Sequence, residues 1–378
     1  MKNVYITGLG TCLPGQPVPN KTMEAYIGCI NGQPSRLGPL CLRQNGIQQR
    51  YYALNPNGET PWTGAKLIAK ALQNAVLHGG MPTHKTSFLS AATSLPDVIL
   101  PGIASQVHGE LSQVTDIGAI EVASFQSVCA SSMMALKMAA LGIETGEYTH
   151  AMVGAGEFVS RFFRPGCYEG TALIQPDGSL PLSAEFLRWT ISDGAGGLVL
   201  QNAPKPDGLS FKIQWIHQRS FAHQFQACMT YGETPMTHDC WPNTQNTQHA
   251  FQQGMLTLQQ DFAMLDDLLR AWVNEYATLV KQGRIHADRM DWFLCHYSTH
   301  HLGKRLKKFL IEADCNIPDE KWFTNLYTCG NTGSGSLFIM LDELCRTKSL
   351  VPGQQVFCVV PESGRGIVAL MLLEVVSS

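Results

Sequence analysis

The sequence of 378 residues is poor in charge, with 15% charged residues and a formal net charge of -3 at pH 7. Such a chain has no overall attraction to nucleic acid, so any charged partner must bind at a local patch. Low-complexity segments and long linkers are also missing, which argues against loosely tethered modules. The length suits two domains of ordinary size, or one fused pair, with a sizeable core.

Signals for export, membrane insertion and disulfide formation are scarce too. No charged segment followed by an apolar run opens the chain, and no uninterrupted apolar stretch reaches membrane-spanning length. The 12 cysteines stand singly, without a CxxC pair or the density of a disulfide scaffold. We therefore expect reduced thiols and a cytoplasmic protein.

What the chain does contain is a repeated order of strands and helices. In the first half, the strand TSFLSAATS and a helical stretch precede Cys129, its apolar helix and the strand HAMVGAG. In the second half, DWFLCHYST precedes a helix, and CGNTGSGSLFIMLDEL leads to the strand QVFCVVPESG. This pattern predicts two similar parallel sheets, covered by helices and related by a pseudo-twofold axis. We place the halves at 1–190 and 191–378, with an insertion lacking an upstream counterpart at about 214–288.

Cys129 stands at the first turn of an apolar helix predicted from Ala130 to Ile143. Unpaired amides and the helix dipole stabilise an anion there and lower a thiol pKa, although many free cysteines are simply small buried hydrophobes. His296 and Asn331 follow strands of the second half, and the repeat brings them towards Cys129. A histidine and an asparagine can donate hydrogen bonds to an oxygen that gains negative charge. Taken singly, His296 is better explained as an interior histidine and Asn331 as a turn asparagine, and their matched placement in the two repeats is what favours the functional interpretation.

These motifs resemble a known family. SVCASSMMALKMA, CHYSTHHLGKRL, CGNTGSGSLFIMLDEL and SDGAGGLVL, in this order and spacing, are similar to the thiolase superfamily, most closely to the beta-ketoacyl-acyl carrier protein synthase III group. The resemblance covers almost the whole chain. It implies an α/β, duplicated thiolase-like fold with five layers, α-β-α-β-α, and a homodimeric acyltransferase.

The same resemblance implies decarboxylative Claisen condensation in fatty-acid or polyketide-like biosynthesis. Cys129 would accept an acyl group as a thioester. His296 and Asn331 would then stabilise the enolate of a malonyl-type or beta-ketoacyl thioester carried by acyl carrier protein. Acyl-CoA or acyl-carrier thioesters are substrates in this scheme, and no cofactor, metal, nucleic acid or membrane is implied. A secondary-metabolite ketosynthase that joins two acyl chains, as in dialkylresorcinol formation, is the alternative.

The resemblance also implies substrate contacts. Leu100 precedes Pro101 at the position from which one subunit closes the acyl tunnel of the other. A leucine there predicts room for a medium or branched chain, unless it is an ordinary dimer-core residue. Thr299 replaces an asparagine that usually contacts pantetheine, so coenzyme A specificity is less secure than carrier specificity. The predicted contacts are Leu100, Arg161, Thr299, Ser363 and Gly364.

An oxyanion hole is implied at the backbone N–H of Cys129 and a second amide from the segment 361–364. The family commonly has glycines in this segment. Here Pro361 lacks a donor, and Glu362 and Ser363 follow it. The second amide is therefore open, and Glu362 is a candidate for altering substrate choice.

A basic helix is predicted directly after His296. Its apolar residues recur at helical spacing, and Lys304, Arg305 and Lys308 cluster with Lys307 on the remaining surface. Such a patch would attract an acidic acyl carrier protein. A solvated helix face without a partner is the alternative.

Three other functions compete with this interpretation. A cysteine hydrolase also uses Cys, His and Asn, but the papain-type sequence around its cysteine is missing. A non-catalytic partner subunit would not need all three residues. A metal site could draw on cysteines and histidines near one segment, although their spacings match no zinc pattern. Those residues are His217, His223, Cys228, His238 and Cys240.

Overall fold

The computed structural model describes residues 2–234 and 239–378. Within these ranges the strands are β1 (Tyr5–Cys12), β2 (Val18–Pro19), β3 (Gln49–Arg50), β4 (Phe88–Thr93), β5 (Glu121–Gln126), β6 (His150–Glu157), β7 (Gly194–Gln201), β8 (Leu209–Ser220), β9 (Met229–Thr230), β10 (Gln259–Gln260), β11 (Trp292–Cys295), β12 (Trp322–Phe323), β13 (Gln355–Glu362) and β14 (Ile367–Ser377). The α-helices are α1 (Met23–Ile27), α2 (Gly38–Asn45), α3 (Gly64–Gly79), α4 (Ile103–Ser112), α5 (Ser131–Thr145), α6 (Leu182–Arg188), α7 (Thr247–Gln252), α8 (Leu265–Lys281), α9 (His300–Glu312), α10 (Leu326–Cys329) and α11 (Ser336–Thr347).

The main sheet repeats one strand order twice. It runs β12-β11-β13-β14-β8 and then β1-β7-β6-β4-β5. If the strands that each half contributes to this sheet are numbered along the chain, both halves read 3-2-4-5-1 from the outer edge of the sheet to its centre. The halves meet where β1 and β8 pair over only two residues on each strand, at Tyr5↔Lys212 and Ile6↔Phe211. The predicted duplication is thus present in the topology.

Each half is a mixed sheet, whereas the sequence pattern predicted parallel sheets. The pairs β4–β5, β4–β6, β11–β12 and β11–β13 are parallel, but β7 and β14 run antiparallel to their neighbours. In the second half, a short turn joins β13 to β14, and a short turn can connect only antiparallel neighbours. The prediction missed this because it rested on alternating strands and helices.

The strand order also bears on how the chain divides. It groups β7 with the first five strands, so the junction between the repeats lies between Gln201 and Leu209, after the predicted boundary at 190/191. The insertion predicted at about 214–288 overlaps β8 and α8. The helix α8 follows β8 as α3 follows β1, and the long segment before each helix, 221–264 or 13–63, has a counterpart in the other half. The expectation of an insertion without an upstream counterpart is therefore wrong.

Helices form layers between the two halves of the main sheet and on their outer faces. Apolar residues of α5 and α11 share one core cluster with strands of both halves, so these two helices lie between the sheets. The outer face of the first half is covered by α3 and α4, and that of the second half by α8 and α9. This gives the five layers that the resemblance implied. Among the described residues no helix combines the length and apolarity needed to cross a membrane.

The strand β1 packs unusually close to α3. A Cβ added at Gly10 would lie 2.2 Å from the backbone N of Ala75 and 2.3 Å from the carbonyl oxygen of Ala71. No side chain can be accommodated at these distances unless the backbones move apart. Glycine at this position therefore sets the distance between the first sheet and its outer helices.

Gly10→Ala is expected to lower the free energy of unfolding by about 3 kcal/mol, because the added Cβ overlaps backbone that cannot easily shift. Equilibrium urea unfolding measures the change. Gly109→Ala is the control, since a Cβ at this position in α4 meets no atom within 4 Å. It should leave stability unchanged or raise it by about 1 kcal/mol. A Gly10→Ala protein as stable as the wild type would contradict this account of the β1–α3 contact.

Candidate active site

Cys129 lies between the end of β5 and the start of α5, as the sequence predicted, and its residue is 6% exposed. Burial raises the pKa of its thiol well above the ordinary value, and the carboxylates of Glu362 and Glu157 raise it further. The expectation that the helix start lowers this pKa is therefore wrong. Desolvation and two nearby carboxylates outweigh the backbone hydrogen bond at Cys129, which acts in the opposite direction.

His296 directly follows β11 and is buried, with its backbone N–H donating to the carbonyl of Val359 at 2.9 Å. Burial lowers the pKa of its imidazole to about 4. The ring is therefore neutral at physiological pH and carries one N–H donor. In this state it can donate a hydrogen bond to an oxygen that gains negative charge.

Asn331 is buried in the turn between α10 and α11, so the prediction that it directly follows a strand is wrong, because the short helix α10 lies between β12 and this turn. Its side-chain oxygen accepts the backbone N–H of Gly333 at 3.0 Å, and its carbonyl accepts the backbone N–H of Ser192 at 2.8 Å. Because the amide oxygen is already engaged, the NH₂ group is the end of this side chain that remains for a ligand. The turn thus orients Asn331 as a donor.

Two cavities meet at Cys129. The larger has a volume of about 200 Å³ and is also lined by Asn331, while the smaller has Cys129 and His296 in its wall. Ser298 and Ser363 line both. The structure therefore brings the three predicted catalytic residues to one place. The apolar wall of the larger cavity includes Leu95, Val159, Phe186, Leu187, Ile191 and Leu258.

Two buried carboxylates, Glu157 and Glu362, stand beside the thiol. The sequence pointed to Glu362 only as a candidate for altering substrate choice, and it did not point to Glu157. Glu157 ends β6 and accepts hydrogen bonds from the backbone and hydroxyl of Ser94 and the backbone N–H of Ser334. Glu362 ends β13 and accepts the hydroxyl of Ser127. Burial raises the pKa of both carboxyls. The signal available in the sequence was an acidic residue at the end of an apolar strand.

The loop after β13 contributes to both cavities through Ser363. Gly364 lies behind it: its carbonyl accepts the backbone N–H of Cys228 at 2.8 Å. A Cβ at this glycine would lie 2.9 Å from a carboxylate oxygen of Glu362. Gly364 therefore supports the loop from behind, whereas Ser363 faces the space next to Cys129.

The other predicted substrate contacts lie outside the cavity walls. Leu100 is 83% exposed on a surface loop. Arg161 forms an ion pair with Asp97 at 2.7 Å. Thr299 is buried and caps α9, its hydroxyl accepting the backbone N–H of Leu302. Within the described chain, then, none of these three lines either cavity that meets Cys129.

The basic residues of α9 are largely neutralised by acidic neighbours. Arg305 pairs with Asp266, Lys307 with Asp319 at 2.6 Å, and Lys308 with Glu312 at 3.7 Å. Of the four cations, Lys304 is the one with no ion pair to a described residue, and it is exposed. The sequence predicted the cluster but not this neutralisation: Asp266 comes from α8 and Asp319 from the segment after α9, whereas Glu312 lies on α9 itself.

The metal-site alternative gains no support in the two described ranges, which hold no cluster of three or more residues arranged to bind a metal ion. His238, one of its candidate ligands, lies outside the described residues.

Known proteins resemble the chain in both sequence and fold. Residues 280–372 match the family described as 3-oxoacyl-[acyl-carrier-protein (ACP)] synthase III C terminal. The beta-ketoacyl-[acyl-carrier-protein] synthase III of Trichormus variabilis is 23% identical over 374 residues, covering 96% of this chain and 94% of that protein. AbyA1, a tetronic acid condensing enzyme, superposes with a TM-score of 0.75 at 21% identity, with 98% and 99% of the two chains covered. The 3-oxoacyl-[acyl-carrier-protein] synthase III of Aquifex aeolicus gives a TM-score of 0.70 at 16% identity, with the same coverage.

The five layers, the repeated strand order and these similarities define an acyltransferase with a thiolase-like fold. Within that class the chain is a beta-ketoacyl-acyl carrier protein synthase III-like condensing enzyme, as the motifs predicted.

His296→Gln is expected to make stability less sensitive to acid. The pKa of His296 is about 4 in the folded protein and 6.5 as the ordinary value. Between these values the unfolded chain binds a proton that the folded chain excludes, so wild-type stability falls as pH drops from 6.5 towards 4. At pH 4.5 this linkage removes about 2 to 3 kcal/mol, which the variant should retain.

Urea unfolding at pH 7 and pH 4.5 measures this difference, and the comparison cancels the titration of other groups. His301→Gln, at an exposed position of α9, is the matched control and should behave as the wild type. If His296→Gln and the wild type lose stability equally on acidification, His296 is not buried in its neutral form.

Proposed function

We propose that the protein performs decarboxylative Claisen condensation between an acyl group held on Cys129 and a malonyl-type thioester on acyl carrier protein, in fatty-acid or polyketide-like biosynthesis. The observation that carries this proposal is that Cys129 joins two cavities whose walls include Asn331 and His296. The reaction uses thioester substrates and calls for no further cofactor, because each bond change is an acyl transfer or a loss of carbon dioxide.

In the first half-reaction, the sulfur of Cys129 forms a bond to the carbonyl carbon of the acyl donor. The carbonyl oxygen becomes an oxyanion, and the backbone N–H groups of Cys129 and Ser363 stabilise it. As this intermediate collapses, the bond to the donor sulfur breaks. The donor leaves as a thiol that carries the proton originally on Cys129.

In the second half-reaction, a malonyl-type extender loses its carboxylate as carbon dioxide, and the electron pair of the broken bond forms an enolate. The neutral imidazole of His296 and the NH₂ group of Asn331 donate hydrogen bonds to the enolate oxygen. The carbanion then forms a bond to the acyl carbon on Cys129. The thioester bond breaks, and the thiolate of Cys129 takes a proton from solvent.

The shape of the site favours a second candidate within the same chemistry. The smaller cavity is lined by the apolar residues Leu265, Leu269, Trp272 and Leu302 as well as by His296. Two apolar spaces that share one nucleophile suit an enzyme that joins two acyl chains. Product chain lengths from paired acyl donors distinguish this function from extension by a single two-carbon unit.

Cys129→Ala is expected to abolish covalent acylation, because the variant lacks the sulfur that forms the thioester. His296→Ala and Asn331→Ala should instead retain acylation and lower condensation by about 100-fold or more, since they stabilise only the later oxyanion. Intact-protein mass spectrometry measures the acyl adduct, and release of carbon dioxide from the extender measures condensation.

Cys240→Ala serves as the control for the nucleophile, since this cysteine is exposed and distant in sequence from the catalytic turn. An undiminished acyl adduct on Cys129→Ala would remove this cysteine from the mechanism. Normal condensation by both the His296 and Asn331 variants would refute the division of labour between the two half-reactions.

A homodimer is part of the same proposal. Consecutive apolar residues are exposed on the loop before α4, with Val98 46%, Ile99 74% and Leu100 83% exposed. A second copy that covers this loop would bury them and could bring Leu100 to the acyl cavity of its partner. The assignment of Leu100 to the acyl tunnel stays a prediction, as does a cytoplasmic location.

The surface around Lys304 is the proposed docking site for acyl carrier protein. Ser298, which lines both cavities, lies two residues before α9 begins at His300, so the exposed start of this helix is near the route to Cys129. Lys304 lies on the next turn of that helix and carries the charge that its neighbours do not neutralise. Arg305 and Lys308 can join it only by leaving their acidic partners.

Lys304→Glu is expected to raise the KM for a carrier-bound donor about threefold at low ionic strength and to leave acylation by a small pantetheine thioester unchanged, since long-range attraction acts on the acidic carrier alone. Steady-state acylation at two salt concentrations measures the effect. Lys85→Glu is the control, because Lys85 precedes the amino end of β4, whereas Cys129 follows the carboxyl end of the neighbouring parallel strand β5. An equal loss with both donors, or no loss with either, would refute docking at this surface.

A further inference from the structure

Glu362 is buried next to the turn that carries Cys129. It is the last residue of β13 and is 1% exposed. One carboxylate oxygen accepts the hydroxyl of Ser127 at 2.8 Å, and the other accepts the backbone N–H of Ala130 at 3.2 Å. A backbone bond from Val128 also contributes to its electrostatic environment. The carboxylate thus binds the turn on both sides of Cys129.

These contacts decide how Glu362 can act. Its neighbours Pro361 and Ser363 line the cavities, but Glu362 does not. Its two oxygens are engaged by the turn, so they are not directed at a substrate. Any influence of Glu362 on the reaction must therefore pass through the turn and through its charge.

That charge faces Cys129 without a compensating cation. The titratable groups around the thiol are the carboxyls of Glu362 and Glu157, the imidazole of His296, and the phenols of Tyr231 and Tyr297 in the cavity walls. His296 is neutral, and the described residues that line the two cavities include no lysine or arginine. Moreover, the carboxylate of Glu362 accepts the backbone N–H of Ala130 at the helix start, a donor that would otherwise help to stabilise a thiolate.

We propose that Glu362 is a positioning residue for the nucleophile, which holds the Ser127–Ala130 turn in place and keeps Cys129 as a neutral thiol. The thiol then loses its proton only when an acyl thioester is seated, as the bond to the acyl carbon forms. This proposal rests on the proposed function, in which Cys129 is the nucleophile. A resting thiol is less open to oxidation and to stray electrophiles than a thiolate is.

Two variants separate the charge of Glu362 from its hydrogen bond to Ser127. Glu362→Gln keeps the size and an acceptor oxygen but removes the charge, so the Cys129 thiolate should form at lower pH. Alkylation of Cys129 by iodoacetamide at pH 8, followed by peptide mass spectrometry, should become about tenfold faster, which corresponds to about one pKa unit. Glu343→Gln is the control, since Glu343 bonds Asn325 rather than the catalytic turn, and it should leave this rate unchanged.

Ser127→Ala keeps the charge and removes one bond to the turn. It should leave the pH profile of alkylation in place but lower kcat for acylation about threefold to tenfold, with KM unchanged, because the sulfur is less well held. An unaltered pH profile of alkylation in Glu362→Gln would refute the effect of the Glu362 charge on the thiol. Normal acylation by Ser127→Ala would refute the role of the Ser127–Glu362 hydrogen bond in holding the turn. Because alkylation needs no turnover, a shifted profile in a protein that never becomes acylated would support this proposal while refuting the proposed function.

Discussion

Close packing of helices on both faces of one strand fixes the geometry of the whole molecule. In β7, Gly196 and Gly197 follow each other: a Cβ at the first would lie 2.4 Å from the Cβ of Phe338 in α11, and one at the second 2.8 Å from backbone atoms of α3. Successive residues of a strand face opposite sides of the sheet. The two glycines therefore allow an inner and an outer helix to approach the same strand. The position of α11, and of the Asn331 turn that precedes it, follows from this contact.

The electrostatics of the site differ from those of a simple helix-dipole nucleophile. A helix start should favour an anion, but here the backbone N–H of Ala130, next to Cys129, is bonded to a carboxylate from the other half of the chain. Burial adds a penalty for any charge on the thiol. The same burial keeps His296 neutral, which suits a donor of hydrogen bonds. Cys129 and His296 are thus both uncharged at rest, and the donors of the site are aimed where charge develops during the reaction.

The sequence was sufficient for the features that repeat or that follow strand ends. The duplicated plan could be predicted from the repeated pattern, and the five layers followed from the resemblance. The meeting of Cys129 and His296 could be predicted because the end of a strand places a residue at one edge of a sheet. Asn331 meets them although it follows α10 rather than a strand. Features that depend on distant partners could not be predicted. The role of Thr299 as a helix cap is local and was visible, yet the resemblance assigned it to the substrate. Glu362 was noticed only as a departure from glycine, since nothing in the sequence shows which amides it will meet.

The origin of the cavity wall has a consequence for how this scaffold can diversify. Cys129, His296 and Asn331 come from the ends of strands and helices that the packing between sheets holds in register. Much of the wall facing them, including Met229, Tyr231 and Leu258, comes instead from the long connection between β8 and α8. Mutations in that connection can reshape the acyl pocket without moving the reacting groups. Selection for a new chain length can therefore act on one loop while the chemistry is inherited intact.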